Sequence, residues 1–153
     1  MKQLLLILAV VMGQSVQAAD EEQSLITDVF VEQEIRKQIN NPTGELTRAD
    51  LERVTVFDVR SPRITDASLK DVARLTRLSR LYLNETRITD EGLKELARLK
   101  KLTLLQFSEF EQLTGTGFRE LTALTQLTTL RFYLCTGVTD TGLRELANFN
   151  KLS

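Results

Sequence analysis

A four-fold internal repeat constrains the fold of this sequence more than any other feature. Equivalent units begin at Val54, Leu78, Leu102 and Leu127, at spacings of 24, 24 and 25 residues. Seven apolar positions recur in every unit, a match too regular to arise by chance. Three of these aligned columns are Phe57, Leu81, Leu105 and Leu130; Val59, Leu83, Phe107 and Phe132; and Leu69, Leu93, Phe118 and Leu143. Such repetition predicts one structural element used four times.

The spacing within a unit predicts a strand followed by a helix. Apolar residues two apart indicate a strand with one inward face, and apolar residues three apart indicate a helix with one inward face. A Rossmann-like sheet is disfavoured, because its units are longer and lack this column-by-column identity. We therefore expect an α/β solenoid in which four units stack as a right-handed coil with parallel strands. These units span residues 54–77, 78–101, 102–126 and 127–151.

Aspartates recur after the strand in three units, at Asp66, Asp90 and Asp140, each preceded by Ile-Thr or Val-Thr. They stand where each helix should begin, so we predict that their carboxylates are helix N-caps. A calcium site or a catalytic array is the alternative, but capping accounts for all three. The third unit has Gly115 instead, and its loop is predicted to be the least regular.

The repeats resemble leucine-rich repeats of the cysteine-containing type, which are abundant in bacterial envelope proteins. The strings LSRLYLNETRITDEGLKELARLKK and LTTLRFYLCTGVTDTGLRELANFNK carry the resemblance, which covers about residues 54–153. It implies parallel strands on a concave face and an internal ladder of small polar side chains after each strand. Thr86 and Cys135 fit that ladder, whereas Pro62 and Phe110 depart from it. A surface thiol that pairs with another chain is the alternative for Cys135.

Residues 19–53 resemble the helical N-terminal cap of bacterial leucine-rich-repeat proteins. An amphipathic segment carries Ile35 and Ile39, and an Asn-Pro-x-Gly turn follows it. Thr47 and Asp50 then have the spacing of a capping box. The resemblance implies that this segment covers the open apolar end of the first repeat.

Residues 1–18 have the pattern of a signal peptide. Lys2 precedes a short apolar run over Leu4–Met12, and small residues lead to a cleavage site after Ala18. The run is shorter than the roughly 20 residues that a membrane-spanning helix needs. We expect export to the periplasm or the exterior, with no stable membrane insertion after cleavage. A buried N-terminal helix is the alternative, but no amphipathic pattern supports it.

Composition argues against catalysis. The 153 residues include no histidine and one cysteine, and the formal net charge is −1. The commonest general base and metal ligand is therefore missing, and no charge excess draws the chain to nucleic acid. We expect no enzyme activity, no cofactor, no metal and no nucleic-acid partner.

Function is predicted to reside in the variable strand residues that point away from the core. Solenoids of this kind present that surface to partners. Tyrosine and arginine there are typical of binding hot spots, although some side chain must stand at each position in any case. We predict a non-catalytic protein-binding module, and the predicted contact residues are Arg80, Tyr82, Asn84, Gln106, Arg131 and Tyr133.

The C-terminal end suggests a second hypothesis. No polar covering segment follows Phe149 and Leu152, so the last strand is predicted to have an unpaired edge beside an apolar rim. Exposed edges invite pairing with another chain. A structural or self-assembling envelope component that forms a homodimer through this edge is therefore the alternative, as is a truncated member of a longer array.

Overall fold

Four parallel strands form the core of the molecule, for which a computed structural model describes residues 24–149 and 151–152. The strand order is β1-β2-β3-β4, so each strand pairs with the strand of the next unit. The strands are β1 Val56–Arg60, β2 Arg80–Asn84, β3 Leu104–Ser108 and β4 Thr129–Tyr133. The predicted signal peptide, residues 1–18, lies outside the described residues.

Strand register follows the aligned columns of the sequence. Tyr82 lies opposite Asp58 on one side and Gln106 on the other, and Gln106 lies opposite Arg131. Successive side chains of a strand point to opposite faces, so the other column turns inward. Phe57 and Leu81 of that column are fully buried. The predicted division between core and surface residues is confirmed in the first three units, whereas in the fourth Leu130 and Phe132 are partly buried and Leu143 is 47% exposed.

Each strand is followed by a short helical segment that packs its apolar face inward. The α-helices of the repeats are α3 Asp66–Val72, α4 Leu93–Leu96 and α5 Asp140–Arg144, where α1 and α2 precede the first strand. In the third unit the segment Phe118–Ala123 is a 3-10 helix. Gly115, just before it, has φ 92°, a left-handed conformation that favours glycine. The expected irregularity of the third unit is confirmed.

Phenylalanines fill the core between the third and fourth units. The Phe107 ring lies 5.4 Å from that of Phe110, edge to face, and 5.8 Å from that of Phe132, stacked. Phe118 lies 5.0 Å from Phe132. Phe110 thus stands where the ladder would have a small polar side chain, because its ring completes this cluster.

Helices α1 Val29–Ile39 and α2 Arg48–Arg53 precede the first strand. Helix α1 buries Val31, Ile35 and Ile39, and it packs against β1 and α3. The predicted capping box of α2 is confirmed, because the Thr47 N–H donates to Asp50 Oδ2 over 3.0 Å and the Asp50 N–H donates to Thr47 Oγ1 over 3.2 Å. None of the helices in the described part of the chain is both long and apolar enough to cross a membrane.

The start of α1 is fastened to the first repeat by Asp71, a carboxylate of α3. Its Oδ2 accepts hydrogen bonds from the Thr27 N–H at 2.7 Å, the Thr27 hydroxyl at 2.9 Å and the Asp28 N–H at 2.7 Å. Asp71 is only 3% exposed. A buried carboxylate needs such partners, because an unpaired one would be costly to desolvate.

Candidate functional site

The predicted role of Asp66, Asp90 and Asp140 as helix N-caps is wrong. The caps are the preceding threonines Thr65, Thr89 and Thr139, and each aspartate is the first residue of its helical segment. Thr139 Oγ1, for example, accepts from the Gly142 N–H over 3.1 Å. Either residue type can cap a helix, so the sequence alone leaves the cap uncertain by one position.

The first two of these carboxylates join successive repeats. Asp66 accepts from the Thr89 N–H and from the Thr89 hydroxyl, each over 2.8 Å. Asp90 accepts from the N–H and hydroxyl of Thr114 at 2.9 and 2.8 Å. It also accepts from the N–H groups of Gly115 at 2.8 Å and Gly117 at 2.9 Å. Each aspartate thus holds the turn of the following unit in place.

This series of bonds changes at the third unit. Gly115 supplies no carboxylate, so Thr139 donates its N–H and its hydroxyl to the Thr114 carbonyl instead, over 3.0 and 3.1 Å. Asp140 is exposed, and no described group donates to its carboxylate.

An earlier copy of the turn precedes α1, outside the four aligned units. Ile26-Thr27-Asp28 repeats the pattern of Ile64-Thr65-Asp66. Asp28 accepts from the Ser68 hydroxyl, and Ser68 Oγ in turn accepts from the Thr65 N–H over 3.0 Å. Asp28 therefore reaches the turn of the first repeat through one hydroxyl.

Small residues let the turns stack this closely. Gly92 faces Asp66, and a Cβ added to Gly92 would overlap the Asp66 carboxylate. A Cβ added to Gly117 would likewise overlap the Asp90 carbonyl oxygen. The glycine after the second turn and the one after the third are thus required by the approach of the preceding unit, whereas the first turn has Ser68 at this position.

Hydrogen bonding decides the charge state of Asp90. Partial burial alone would raise the pKa of its carboxyl group. This effect is outweighed by the hydrogen bonds that the carboxylate accepts from the N–H groups of Gly117, Thr114 and Gly115 and from the Thr114 hydroxyl. The pKa of Asp90 is held below its ordinary value, because these donors favour the ionised form.

The outward residues of the four strands form a single surface, the strand face. All six predicted contact residues lie on it. Its middle row is Asp58, Tyr82, Gln106 and Arg131. With strands about 4.8 Å apart, Tyr82 and Arg131 stand roughly 10 Å from each other.

Two of the six predicted residues are engaged within the molecule. Asn84 Nδ2 donates to Asp58 Oδ1 over 2.9 Å, and Gln106 Nε2 donates to Ser108 Oγ over 3.1 Å. These bonds orient both amide groups, and no described group donates to either amide oxygen.

An ion-pair cluster, which the sequence reasoning missed, closes the carboxyl end of the strand face. Arg60 pairs with Glu85 and, over 3.2 Å, with Glu109. Both glutamates directly follow a strand and adopt left-handed backbone, with φ 49° and 62°. The hydrogen bond and the charge of Glu85 raise the pKa of Arg60. Arg60 therefore stays charged, and the two glutamates balance its charge within the chain.

Four predicted residues keep their polar groups available. Among the described residues, no hydrogen bond or ion pair engages the side chains of Arg80, Tyr82, Arg131 or Tyr133. Tyr133 is 62% exposed, and Leu134 beside it is 61% exposed, with φ 50°. Leu134 extends the apolar part of this surface and was not predicted from the sequence.

Cys135, which was predicted to belong to the internal ladder after the strands, has a half-buried side chain. Its Sγ lies 3.4 Å from the Phe107 carbonyl oxygen and 3.5 Å from that of Tyr133. Burial raises the pKa of the thiol, against the opposing effect of nearby backbone hydrogen bonds. Thr86, the other residue that fits the predicted ladder, is buried. No group of three or more possible ligands among the described residues is placed to hold a metal ion.

Two solved structures from Listeria monocytogenes str. 4b F2365 resemble this chain. An internalin (inlF) matches with a TM-score of 0.58 and 23% identity, over 84% of this chain and 42% of its own length. Internalin C2 matches with a TM-score of 0.65 and 21% identity, over 84% of this chain and 54% of its own length. The chain thus spans about half the length of the structures that it matches. Neither a protein-family model nor a curated protein matches the sequence.

The likeness shows the fold, because internalins are leucine-rich-repeat proteins. The chain is a leucine-rich-repeat solenoid, with a parallel sheet on one side and short helices on the other.

Proposed function

We propose that the chain is a non-catalytic protein-binding module that recognises its partner through the strand face. One observation carries this proposal: four side chains share one face and make no hydrogen bond or ion pair in the described chain. They are Arg80, Tyr82, Arg131 and Tyr133. Tyrosine and arginine dominate binding hot spots, since each offers a large contact area with a polar end. A paired sheet holds them in place, which lowers the entropy cost of binding.

The charges of the strand face favour a partner of particular chemistry. Arg60 is already paired with two glutamates, whereas Arg80 and Arg131 are exposed and unpaired in the described chain. Carboxylates opposite these two guanidinium groups would complete their hydrogen bonding in a planar geometry. The partner is therefore a protein surface with acidic side chains beside apolar ones that meet Tyr82 and Tyr133.

The remaining parts of the chain have supporting roles in this proposal. Residues 1–18 direct export, and binding takes place in the cell envelope or outside it. Residues 19–53 act as the N-terminal cap, which is supported by the burial of Val31, Ile35 and Ile39 where α1 meets the first repeat. The recurring carboxylates serve structure rather than catalysis, because backbone N–H groups of the next repeat engage Asp66 and Asp90.

The test is capture of partners from an envelope extract by a triple variant, Tyr82→Ala with Arg131→Ala and Tyr133→Ala. The matched control removes three exposed side chains of the helical side, Lys94, Arg119 and Arg144. We expect the strand-face variant to lose the specific partner by at least about tenfold, since hot-spot residues each contribute about 2 kcal/mol or more.

Urea unfolding of both triple variants shows whether either is less stable than the parent chain. The proposal fails if the strand-face variant, still folded, retains the partner while the helical-side control loses it. It fails equally if both variants capture the same proteins as the parent chain.

A further inference from the structure

Cations are concentrated at one edge of the solenoid, where the chain passes from one repeat to the next. The three joining turns, each taken with the first residue of the following strand, span residues 74–80, 98–104 and 123–129. None of the three contains a carboxylate. The first two contain cations that are all exposed, and we call this group the basic edge: Arg74, Arg77, Arg80, Arg98, Lys100 and Lys101.

The opposite edge, formed by the last strand residues and the turns after them, has the reverse charge. Its carboxylates are Asp66, Glu85, Asp90, Glu109, Glu111 and Asp140, and its arginines are Arg60, Arg63 and Arg87. The formal net charge of −1 thus hides a separation of charge between the two edges. Screening confines each charge to about 10 Å at 0.1 M salt, so an approaching anion meets the local charge rather than the total.

Backbone hydrogen bonds stack the joining turns in register. The Ser79 N–H donates to the Thr55 carbonyl, and the Thr103 N–H donates to the Ser79 carbonyl, each over 2.8 Å. Lys100 Nζ donates to the Ala123 carbonyl over 3.0 Å, which holds its ammonium group against the third joining turn. The first two turns are therefore held roughly 5 Å apart, the spacing of neighbouring strands, and their cations act on the same small region.

Carboxylates of the chain balance only part of this charge. Three arginines lie near one, and the pairs are Arg74 with Asp71 at 3.6 Å, Arg77 with Glu52 at 3.5 Å and Arg98 with Glu95 at 3.9 Å. These distances exceed those of a charge-assisted hydrogen bond, and the side chains of Arg77 and Arg98 remain 66% and 74% exposed. Within the described residues, no carboxylate pairs with Arg80, Lys100 or Lys101.

We propose that the basic edge binds an acidic polypeptide segment. Carboxylates of the segment complete the hydrogen bonding of the exposed guanidinium and ammonium groups, and arginine does so in a planar two-bond geometry. Arg80 belongs to both the basic edge and the strand face, so the two surfaces are continuous. The segment is therefore part of the acidic partner of the strand face, and in this respect the inference rests on the proposed function.

The distribution of the cations favours a short acidic segment over a long anionic polymer or a membrane. The third joining turn has Ala123, Thr125 and Gln126 at the positions of Arg98, Lys100 and Lys101. Lys151, at the same position as Lys101 in the fourth unit, is separated from the basic edge by this uncharged turn. A polymer along the solenoid or a plane of headgroups would meet all the turns alike, whereas a short segment needs only the first two.

The test measures binding of a labelled peptide of ten glutamates to the full chain by fluorescence anisotropy, at about 50 mM salt to limit screening. The basic-edge variant carries Arg77→Gln, Arg98→Gln and Lys101→Gln. The control removes the same charge from exposed positions of the helical side, with Lys70→Gln, Lys94→Gln and Arg119→Gln. We expect the basic-edge variant to bind about tenfold more weakly, because three exposed ion pairs of modest strength are lost, and the control to stay within about twofold of the parent.

Circular dichroism shows that each variant is folded before binding is compared. The proposal is overturned if the peptide does not bind the parent chain, or if the two variants weaken binding equally. Vesicles of phosphatidylglycerol and a heparin fragment are measured alongside. Binding of either of these without binding of the peptide would make the ligand a membrane or a polymer, and this also overturns the proposal.

Two further measurements separate this inference from the proposed function. The strand-face variant keeps the basic edge, apart from any effect of Arg131, so it should bind the peptide within about twofold of the parent chain; a tenfold loss would place the peptide on the strand face instead. A photoreactive residue at Thr76, exposed in the first joining turn, should give an adduct in envelope extract with the same protein as one at Gln106. An adduct at position 106 with none at position 76 would overturn the inference and leave the proposed function standing.

Discussion

Replacing Phe107 with alanine is expected to lower the free energy of unfolding by about 3–5 kcal/mol, the usual cost of truncating a buried phenylalanine. The side chain is fully buried, and its ring contacts those of Phe110, Phe118 and Phe132. Its removal leaves a cavity shared by the third and fourth repeats. Urea unfolding followed by circular dichroism measures the loss, which is a large fraction of the stability of an ordinary domain.

Tyr133→Ala is the control for this prediction, because Tyr133 lies on the neighbouring strand and is 62% exposed. A truncation on the surface is expected to change the free energy of unfolding by less than about 0.5 kcal/mol. If both variants lost the same small amount, the phenylalanine cluster would not be the core of the last two repeats.

Asp90→Ala is expected to cost about 3 kcal/mol. The change removes the acceptor of four hydrogen bonds from the third repeat, from Thr114, Gly115 and Gly117. Hydrogen bonds to a charged group contribute about 1.5–3 kcal/mol each, but the losses are not additive and solvent reaches part of the site. Asp140→Ala changes the same column without removing a bond from the described chain, so it should cost less than about 0.5 kcal/mol.

The pH dependence of the Asp90→Ala effect is a second readout. The pKa of Asp90 is lowered in the folded chain, so its contribution is complete above the unfolded pKa of about 3.9 and is lost as the pH falls through the folded pKa. The difference between parent and variant should therefore be constant from pH 7 to about 5 and shrink below about pH 4. A difference that stayed constant down to pH 2 would show that the carboxylate charge plays no part.

Much of the fold follows from the aligned columns. A residue such as Gln106 can be placed between Tyr82 and Arg131 from spacing alone, because identical units stack in direct register. The period of two then separates inward Phe107 from outward Gln106. Repetition thus makes a long-range arrangement predictable from local sequence, which is rarely possible in a fold without repeats.

The contacts between repeats are less predictable. The sequence predicts that each aspartate caps its own helix, since nothing in one unit shows that Asp66 bonds to Thr89 of the next. The copy at Ile26-Thr27-Asp28 has a sequence signal, but it lacks the strand columns by which the repeats were aligned. The internal bonds of Asn84 and Gln106 depend on rotamers, which the column pattern does not determine.

Site-specific photo-crosslinking tests the proposed binding face most directly. A photoreactive residue is placed at Gln106, in the middle row of the strand face, and in a matched variant at Lys94, exposed on the helical side. Each full-length variant is irradiated in envelope extract, and adducts are identified by mass. The proposal predicts a specific protein adduct at position 106 that is absent at position 94. An adduct at position 94 with none at position 106 would contradict it.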